Sequence, residues 1–145
     1  MEYLSHSTEE TERFAKQYAR VLPHGCVLAF EGGMGVGKTA FVRGLAKGLG
    51  AQNEVSSPTF ALVHEYGGNP PLIHFDMYRV TTLDDLYTTG FFDYLDGENI
   101  LAVEWSENIE AALPEDAVHI RLEPAGENSR KITVKGGPFF EYTGV

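Results

Sequence analysis

The feature that most constrains this chain is a glycine-rich loop, Gly32–Thr39, which follows an apolar run and precedes a helical pattern. Its spacing matches the phosphate-binding motif G-x-x-x-x-G-K-[ST]. The apolar run Val27–Phe30 predicts a buried strand, and residues Lys38–Leu49 predict a helix that ends at Gly50. Strand, glycine loop and helix form the unit that a phosphate-binding loop requires, so we expect an α/β fold.

The loop carries the residue types that phosphate binding needs. Gly33, Gly35 and Gly37 let successive backbone N–H groups approach phosphate oxygens closely. The start of the following helix adds further N–H donors and a positive dipole end. Lys38 can reach the β and γ phosphates, and the hydroxyl of Thr39 can bind Mg²⁺. The sequence therefore predicts a nucleotide site, with ATP and Mg²⁺ as the expected occupants.

Apolar patterns assign the other elements. A helix is expected from Thr8 to Leu22, with Ser7 as its cap and Glu10 in the capping-box position. The runs Thr59–Tyr66 and Leu72–Asp76 predict an antiparallel hairpin, because the five residues between them are too few for a crossover helix. Further elements are expected at Leu83–Tyr87 and Phe91–Leu95 (short helices), Ile100–Val103 (a strand), just before Pro114 (a short helix), and Val118–Leu122 and Lys131–Lys135 (strands). We expect a three-layer domain like that of P-loop NTPases, whose mixed sheet is parallel at its centre and antiparallel at the hairpin and margins.

Two carboxylates stand at the ends of apolar strands, where a phosphate-binding loop finds its metal-holding partner. Glu104 ends the run Ile100–Val103, and Asp76 ends the run Leu72–Phe75. Either carboxylate could hold Mg²⁺ or orient a water molecule. Each could instead be an ordinary strand-end residue that pairs with Arg79 or with solvent.

The segment Ser56–Thr59 lies between the helix of the glycine loop and the hairpin, where such proteins often carry a loop that senses the γ-phosphate. The hydroxyl of Thr59 could reach Mg²⁺ or the attacking water, although a Ser-Pro turn that enters a strand fits equally well. His74 lies two residues before Asp76, and His64 lies on the partner strand. A histidine beside a carboxylate is usually packed and hydrogen-bonded, and we favour that reading over a transition-metal site.

The composition is that of an ordinary globular protein, with 43% hydrophobic and 22% charged residues, and the length of 145 residues suits one domain over residues 1–145. No apolar run is long enough for a membrane span, and no signal peptide is visible. Cys26 is the only cysteine, so an internal disulfide is excluded and a cytoplasmic location is expected. Because Cys26 opens an apolar strand, we expect its side chain to be buried.

Charge is unevenly distributed along the chain. Residues 1–50 carry six basic and five acidic side chains (+1), whereas residues 51–145 carry five basic and sixteen acidic side chains (−11). Between Val80 and Asp116 there are ten acidic residues and no lysine or arginine. Such a surface repels a nucleic-acid backbone. It is either a solvated acidic face or a docking face for a basic protein partner.

The absence of certain motifs narrows the choice of nucleotide and the class of reaction that the sequence predicts. The chain has no Asn-Lys-x-Asp or Thr-Lys-x-Asp motif to recognise guanine, and no Asp-x-x-Gly switch, which disfavours a GTPase of the usual kind. Its six arginines are too few for the arginine-rich lid with which small-molecule kinases clamp a second phosphorylated substrate.

Several motifs occur in a fixed order along the chain. Phe41–Leu45 follows the glycine loop, and Ser57–Phe60, His74–Arg79 and Glu104-Trp105 come next. With these motifs the chain resembles the TsaE (YjeE) family, the bacterial ATPases of tRNA threonylcarbamoyladenosine biosynthesis. The resemblance runs from about residue 7 to residue 130. Its Ser-Pro-Thr-Phe, Asp-x-Tyr-Arg and Glu-Trp elements are far more specific than the glycine loop alone.

The resemblance implies a site that several parts of the chain build together. Thr39 and Glu104 would hold Mg²⁺, with Asp76 close to the same ion. The residues expected on the phosphates are Gly33, Gly35, Val36, Gly37, Lys38, Thr39 and Ala40. The helix start around Ser7 to Thr11 and Arg130 would border the nucleotide. The implied partners are the proteins TsaD and TsaB, and tRNA would be reached only through their complex.

The leading hypothesis is a Mg²⁺-dependent ATPase that is slow alone and stimulated by a protein partner. Its candidate catalytic residues are Lys38, Asp76, Glu104 and Thr59. No arginine finger is obvious apart from Arg79, so a partner residue could complete the site. The alternatives are a P-loop small-molecule kinase and an interaction protein that senses a nucleotide without hydrolysing it.

Overall fold

A seven-stranded sheet runs through the computed structural model, which describes residues 1–31, 37–52, 63–138 and 140–144. Its strands are β1 (Glu2–Ser5), β2 (Val27–Glu31), β3 (Val63–Gly67), β4 (Leu72–Asp76), β5 (Ile100–Glu104), β6 (Val118–Pro124) and β7 (Arg130–Lys135). They lie side by side in the order β1-β7-β6-β2-β5-β4-β3.

The four central strands of the sheet are parallel, since β2 pairs in parallel with β5 and β6, and β4 pairs in parallel with β5. The margins are antiparallel, with β1 against β7, β7 against β6, and the hairpin of β3 and β4. The expected mixed sheet is confirmed, and the α/β fold is like that of P-loop NTPases. Residues 59–62 of the expected hairpin lie outside the described residues.

The described part of the chain contains five helical segments beside the sheet. They are α1 (Thr8–Ala19), α2 (Lys38–Gly48), α3 (Leu83–Thr88), α4 (Phe91–Tyr94) and a 3₁₀ helix (Ser106–Ala112). Ser7 caps α1 as expected, because its hydroxyl accepts a hydrogen bond from the backbone N–H of Glu10. The carboxylate of Glu10, however, accepts a hydrogen bond from the hydroxyl of Tyr3. Helix α1 ends at Ala19 rather than Leu22, and tighter i→i+3 bonds carry the chain on to Pro23.

Helices cover both faces of the sheet. Phe14 of α1 and Leu45 of α2 belong to a buried cluster that packs on one face, where it includes Leu28. Phe91 of α4 belongs to a second cluster on the other face, where it includes Phe75. Parallel strands that are buried on both sides read as continuous apolar runs, which is why β2, β4 and β5 were visible in the sequence. No helix in the described ranges has the length and apolar character needed to cross a lipid bilayer.

Strand β1 was not expected from the sequence. It is only four residues long, Leu4 is exposed, and its hydrogen bonds come from β7 at the far end of the chain. Cys26, by contrast, is buried as expected, and burial raises the pKa of its thiol to about 11. Burial thus disfavours the reactive thiolate form of Cys26.

Helices α1 and α2 cross closely at glycines of α2. A Cβ atom added at Gly44 would collide with the backbone oxygen of Glu12 and would lie 2.7 Å from the Cβ of Ala15. Gly48 meets Lys16 and Ala19 of α1 in the same way, one helical turn further on. These glycines let the two backbones touch, and the contact fixes how α2 lies on the sheet.

We expect Gly44→Ala to lower the free energy of unfolding by about 1–3 kcal/mol, because overpacking outweighs the better helix propensity of alanine. Urea denaturation followed by circular dichroism measures this. The control is Lys16→Ala, an exposed position of α1 that should change stability by less than about 0.5 kcal/mol. A Gly44→Ala protein as stable as the wild type would show that the helices can separate at no cost.

Candidate functional site

A cleft of about 490 Å³ opens at the carboxyl ends of β4 and β5, beside the start of α2. Open α/β sheets characteristically bind ligands at this edge. The described residues that line it are Thr8, Gly37, Lys38, Thr39, Ala40, Arg43, Asp76, Glu104, Trp105 and Arg130. The cleft thus joins the glycine motif, both candidate carboxylates and Arg130, which are far apart in the sequence.

Helix α2 begins at the cleft without a side-chain cap. Its N-cap residue is Gly37, which has a φ of 92°, a left-handed conformation that glycine adopts without strain. A Cβ atom added there would lie 2.6 Å from Nη1 of Arg130, so this guanidinium packs directly on the end of the loop. The uncapped N–H groups and the helix dipole favour an anion at this point. Gly33, Gly35 and Val36 lie outside the described residues.

Lys38 and Trp105 meet on one wall of the cleft. The lysine is only 4% exposed, and its Nζ lies 5.8 Å from the centroid of the Trp105 ring. Trp105 has a φ of 57°, the only positive value among the described residues other than glycine. Such a conformation costs free energy and persists where the surrounding structure enforces it. The ring of Tyr78, 4.9 Å away, packs against the indole.

The two candidate carboxylates are neighbours because of the strand register. Asp76 at the end of β4 pairs with Glu104 at the end of β5 in the parallel ladder. One oxygen of Asp76 accepts a hydrogen bond from the backbone N–H of Tyr78 at 3.0 Å. Oε2 of Glu104 lies 2.8 Å from Nε2 of His74, which makes His74 the packed, hydrogen-bonded residue that the sequence suggested. Arg79, which the sequence indicated as an alternative ion-pair partner for these carboxylates, is exposed and does not line the cleft.

The donor set suits magnesium rather than a transition metal. The described residues contain no cluster of three or more histidine, cysteine or acidic side chains that could hold a metal ion alone. The cleft offers instead the Thr39 hydroxyl and the carboxylates of Asp76 and Glu104, all of which are oxygen donors. Mg²⁺ is bound in this manner, through one or two carboxylates together with substrate phosphates and water. These three residues could therefore hold Mg²⁺ once a nucleotide supplies phosphate oxygens.

Thr11, which was expected to border the nucleotide, does not line the cleft. Its side chain is fully buried, and its hydroxyl is engaged with the hydroxyl of Ser5 and the backbone oxygen of Ser7. Thr8, one helical turn earlier, faces the cleft instead. Thr59 lies outside the described residues.

Two further residues of the cleft, Arg43 and Trp105, were not predicted from the sequence as site residues. Arg43 stands four residues after Thr39 and so shares a face of α2 with it, a spacing that could have revealed it. Its guanidinium lies 3.6 Å from a carboxylate oxygen of Glu12, so α1 holds it in place. Trp105 was visible only as the neighbour of Glu104, because sequence gives no sign of its left-handed backbone or of its contact with Lys38.

Comparison with known proteins identifies the family. The family described as "Threonylcarbamoyl adenosine biosynthesis protein TsaE" matches residues 5–132. The chain belongs to the TsaE family. It is 39% identical over 134 residues to the tRNA threonylcarbamoyladenosine biosynthesis protein TsaE of Treponema pallidum, covering 92% of this chain and 99% of that protein.

A sequence match and a structure match, both from Bacillus subtilis, extend the comparison. The TsaE protein of that organism is 41% identical over 126 residues, which is 86% of this chain and 78% of the relative. The crystal structure of YdiB superposes with a TM-score of 0.79 at 35% identity, covering 95% of this chain and 86% of YdiB. The motif-based resemblance to TsaE is thereby confirmed, and the family connects the chain with tRNA threonylcarbamoyladenosine biosynthesis.

The cleft predicts that Lys38 dominates phosphate binding. We expect Lys38→Ala to weaken binding of a non-hydrolysable ATP analogue about tenfold to hundredfold, because a buried charge-assisted contact is lost. Isothermal titration calorimetry measures this. The matched control is Lys47→Ala on the same helix, where an exposed lysine pairs with Glu12 outside the cleft and the affinity should not change. Equal affinities of the two variants would contradict the assignment.

Proposed function

We propose that this chain is a Mg²⁺-dependent ATPase that acts in tRNA threonylcarbamoyladenosine biosynthesis by binding and hydrolysing ATP on the complex of TsaD and TsaB. One observation carries the proposal. Lys38 and Thr39, at the start of α2, share a cleft with the paired strand-end carboxylates of Asp76 and Glu104. Phosphoryl transfer needs this combination of a phosphate cradle, a lysine and a metal-holding acid.

The proposed phosphate cradle is the loop together with the first turn of α2. Backbone N–H groups would hold the phosphates, Lys38 would neutralise their charge, and Arg130 would close the site beside Gly37. The proposed cradle residues are Gly33, Gly35, Val36, Gly37, Lys38, Thr39 and Ala40. The Lys38 ammonium is held beside the indole of Trp105, so little side-chain entropy is lost when phosphate binds.

The proposed metal site consists of Thr39, Glu104 and Asp76. These residues would hold Mg²⁺, which would supply positive charge to offset the negative charge that develops on the phosphates during transfer. Glu104 or Asp76 would orient the attacking water by accepting a hydrogen bond from it, and Thr59 remains a candidate for the same role. Hydrolysis then needs no acceptor other than water, which separates this proposal from a small-molecule kinase.

The cleft has few cations for catalysis. The described basic residues that line it are Lys38, Arg43 and Arg130, and Arg43 already faces Glu12. Stabilisation of a phosphoryl-transfer transition state commonly requires an arginine finger, often from another protein. We therefore propose that the isolated chain is slow and that a residue of TsaD or TsaB completes the site.

The acidic segment 80–116 is the proposed docking surface for the partner protein. Residues 80–116 comprise α3, α4, β5 and the 3₁₀ helix. Leu83 and Tyr87 of α3 are 60% and 61% exposed, and they stand among the acidic side chains of this segment. An exposed apolar patch with an acidic rim suits a protein surface with basic residues. The same charge disfavours direct binding of tRNA, which would be reached only through the complex.

We expect phosphate release from ATP to accelerate at least tenfold when TsaB and TsaD are added together, because an arginine finger contributes about 10³–10⁵-fold where one is supplied in full. The measurement is steady-state release of inorganic phosphate with and without the partners. Phosphate that appears on an acceptor molecule would favour the kinase alternative. Unstimulated rates would contradict the partner-dependent mechanism.

We expect Glu104→Gln to lower partner-stimulated phosphate release by about 10²–10⁴-fold, because an amide neither holds Mg²⁺ nor activates water as a carboxylate does. Asp76→Asn should act in the same direction. Glu123→Gln is the control, since this exposed carboxylate of β6 lies outside both the cleft and the acidic segment 80–116. If ATP still binds and neither variant changes the rate, catalysis has been assigned to the wrong residues, and nucleotide sensing without hydrolysis becomes the better account.

A further inference from the structure

A buried histidine lies behind the carboxylate of Glu104. His74 is 1% exposed, and its Nε2 lies 2.8 Å from Oε2 of Glu104. The register of β4 and β5 pairs His74 with Ala102, two residues before the pair of Asp76 and Glu104. His74 therefore reaches diagonally from the interior of the sheet to a residue that lines the cleft.

The other ring nitrogen of His74 is engaged as well. Nδ1 lies 3.3 Å from the hydroxyl of Tyr66, a residue of β3 that is 2% exposed. A carboxylate can only accept hydrogen bonds, so Nε2 of the imidazole donates to Glu104. Nδ1 forms the second hydrogen bond of the ring, with the Tyr66 hydroxyl. The three side chains form a hydrogen-bonded row that ends on Glu104.

Packing alone does not explain why Tyr66, His74 and Glu104 are joined by hydrogen bonds. The neighbours of His74 on β4 are Leu72, Ile73 and Phe75, all buried and apolar. A polar group costs free energy to bury there, and hydrogen bonds with other buried groups only offset that cost. An apolar side chain of similar volume would fill the same place at no such expense. The arrangement thus has a value beyond stability, and it reaches the cleft through the carboxylate of Glu104.

We propose that His74, oriented by Tyr66, is a positioning residue that fixes Oε2 of Glu104 and so leaves Oε1 for Mg²⁺ or for its water. The inference rests on the proposed function, because it assigns Glu104 to the metal. A carboxylate held in one orientation loses less conformational freedom when the cation binds. Neither His74 nor Tyr66 lines the cleft, so both act through Glu104.

The test uses the full-length chain, Mn²⁺ as the probe and a non-hydrolysable ATP analogue. Electron paramagnetic resonance of free Mn²⁺ gives the cation affinity of the nucleotide complex without turnover. We expect His74→Leu to weaken it about tenfold to hundredfold. Tyr66→Phe removes the hydrogen bond between the Tyr66 hydroxyl and His74, and we expect it to weaken the cation affinity about twofold to tenfold. Gln at position 74 can still donate to Glu104, so His74→Gln should recover most of the affinity lost in His74→Leu.

A second readout separates positioning from a general structural role. Affinity for the analogue in the absence of Mn²⁺ should stay within about twofold of wild type in all three variants, because phosphate contacts do not involve Glu104. Tyr18→Phe is the matched control for Tyr66→Phe. Tyr18 is fully buried, and its hydroxyl has no hydrogen-bond partner among the residues described. This control should leave both affinities unchanged.

The outcomes distinguish this inference from the proposed function. If the wild-type chain binds the analogue equally well with and without Mn²⁺, the proposed function fails and the inference fails with it. If the wild type depends on Mn²⁺ but Tyr66→Phe and His74→Leu bind the cation as tightly, only the positioning role is overturned. Equal losses in His74→Gln and His74→Leu, accompanied by loss of cation-free binding, would also overturn it. Should His74→Leu not fold, Tyr66→Phe and His74→Gln decide the matter.

Discussion

Parallel pairing of β2, β5 and β4 is the constraint on which the rest of this structure depends. Parallel strands end at the same edge of a sheet, so everything that follows a carboxyl end is gathered there. The loop before α2 leaves the end of β2, and Asp76 and Glu104 stand opposite each other at the ends of β4 and β5. The start of α2 and two carboxylates thereby meet, although they are far apart in the sequence.

The segments that leave these strands are bonded to one another. The Ser106 hydroxyl donates to the backbone oxygen of Phe30 at 3.0 Å, which joins the segment after β5 to the end of β2. The backbone N–H of Met77 donates to the oxygen of Glu104, also at 3.0 Å, and the Asn108 amide donates to the oxygen of Met77 at 2.9 Å. These bonds make a rigid rim on one side of the cleft. They also hold Glu104 and Ser106, the residues on either side of Trp105, and so sustain its left-handed backbone.

The uneven charge of the sequence corresponds to two different regions of the structure, the cleft with its cations and the acidic segment 80–116. Two of the cations in the cleft, Lys38 and Arg43, come from α2 in the basic first third of the chain. The acidic residues of the segment 80–116 lie on and around the helices of the other face, and Glu104 is the only one among them that lines the cleft. The proposed phosphate binding and the proposed partner docking would thus use different surfaces, and the acidic one would repel anionic ligands.

The sequence by itself determined the elements that depend on local signals. Strands β2, β4 and β5 appeared as continuous apolar runs because both of their faces are buried, and α1 and α2 appeared through caps, helical spacing and Gly50. The glycine motif and the strand-end position of Asp76 and Glu104 also followed from the order of residues. Family-specific motifs went further and led to TsaE, which the comparisons support.

Only the tertiary structure decided the features that depend on contacts between distant segments. Strand β1 exists because β7 supplies its hydrogen bonds, and a short half-exposed segment carries no pattern of its own. Thr8 rather than Thr11 faces the cleft because the packing of α1 turns Thr11 toward Ser5. The link from His74 to Glu104 required the register of two strands that are 23 residues apart in the chain, between Asp76 and Ile100. Sequence patterns report burial and local conformation, whereas the direction of each side chain is set by long-range packing that no local pattern contains.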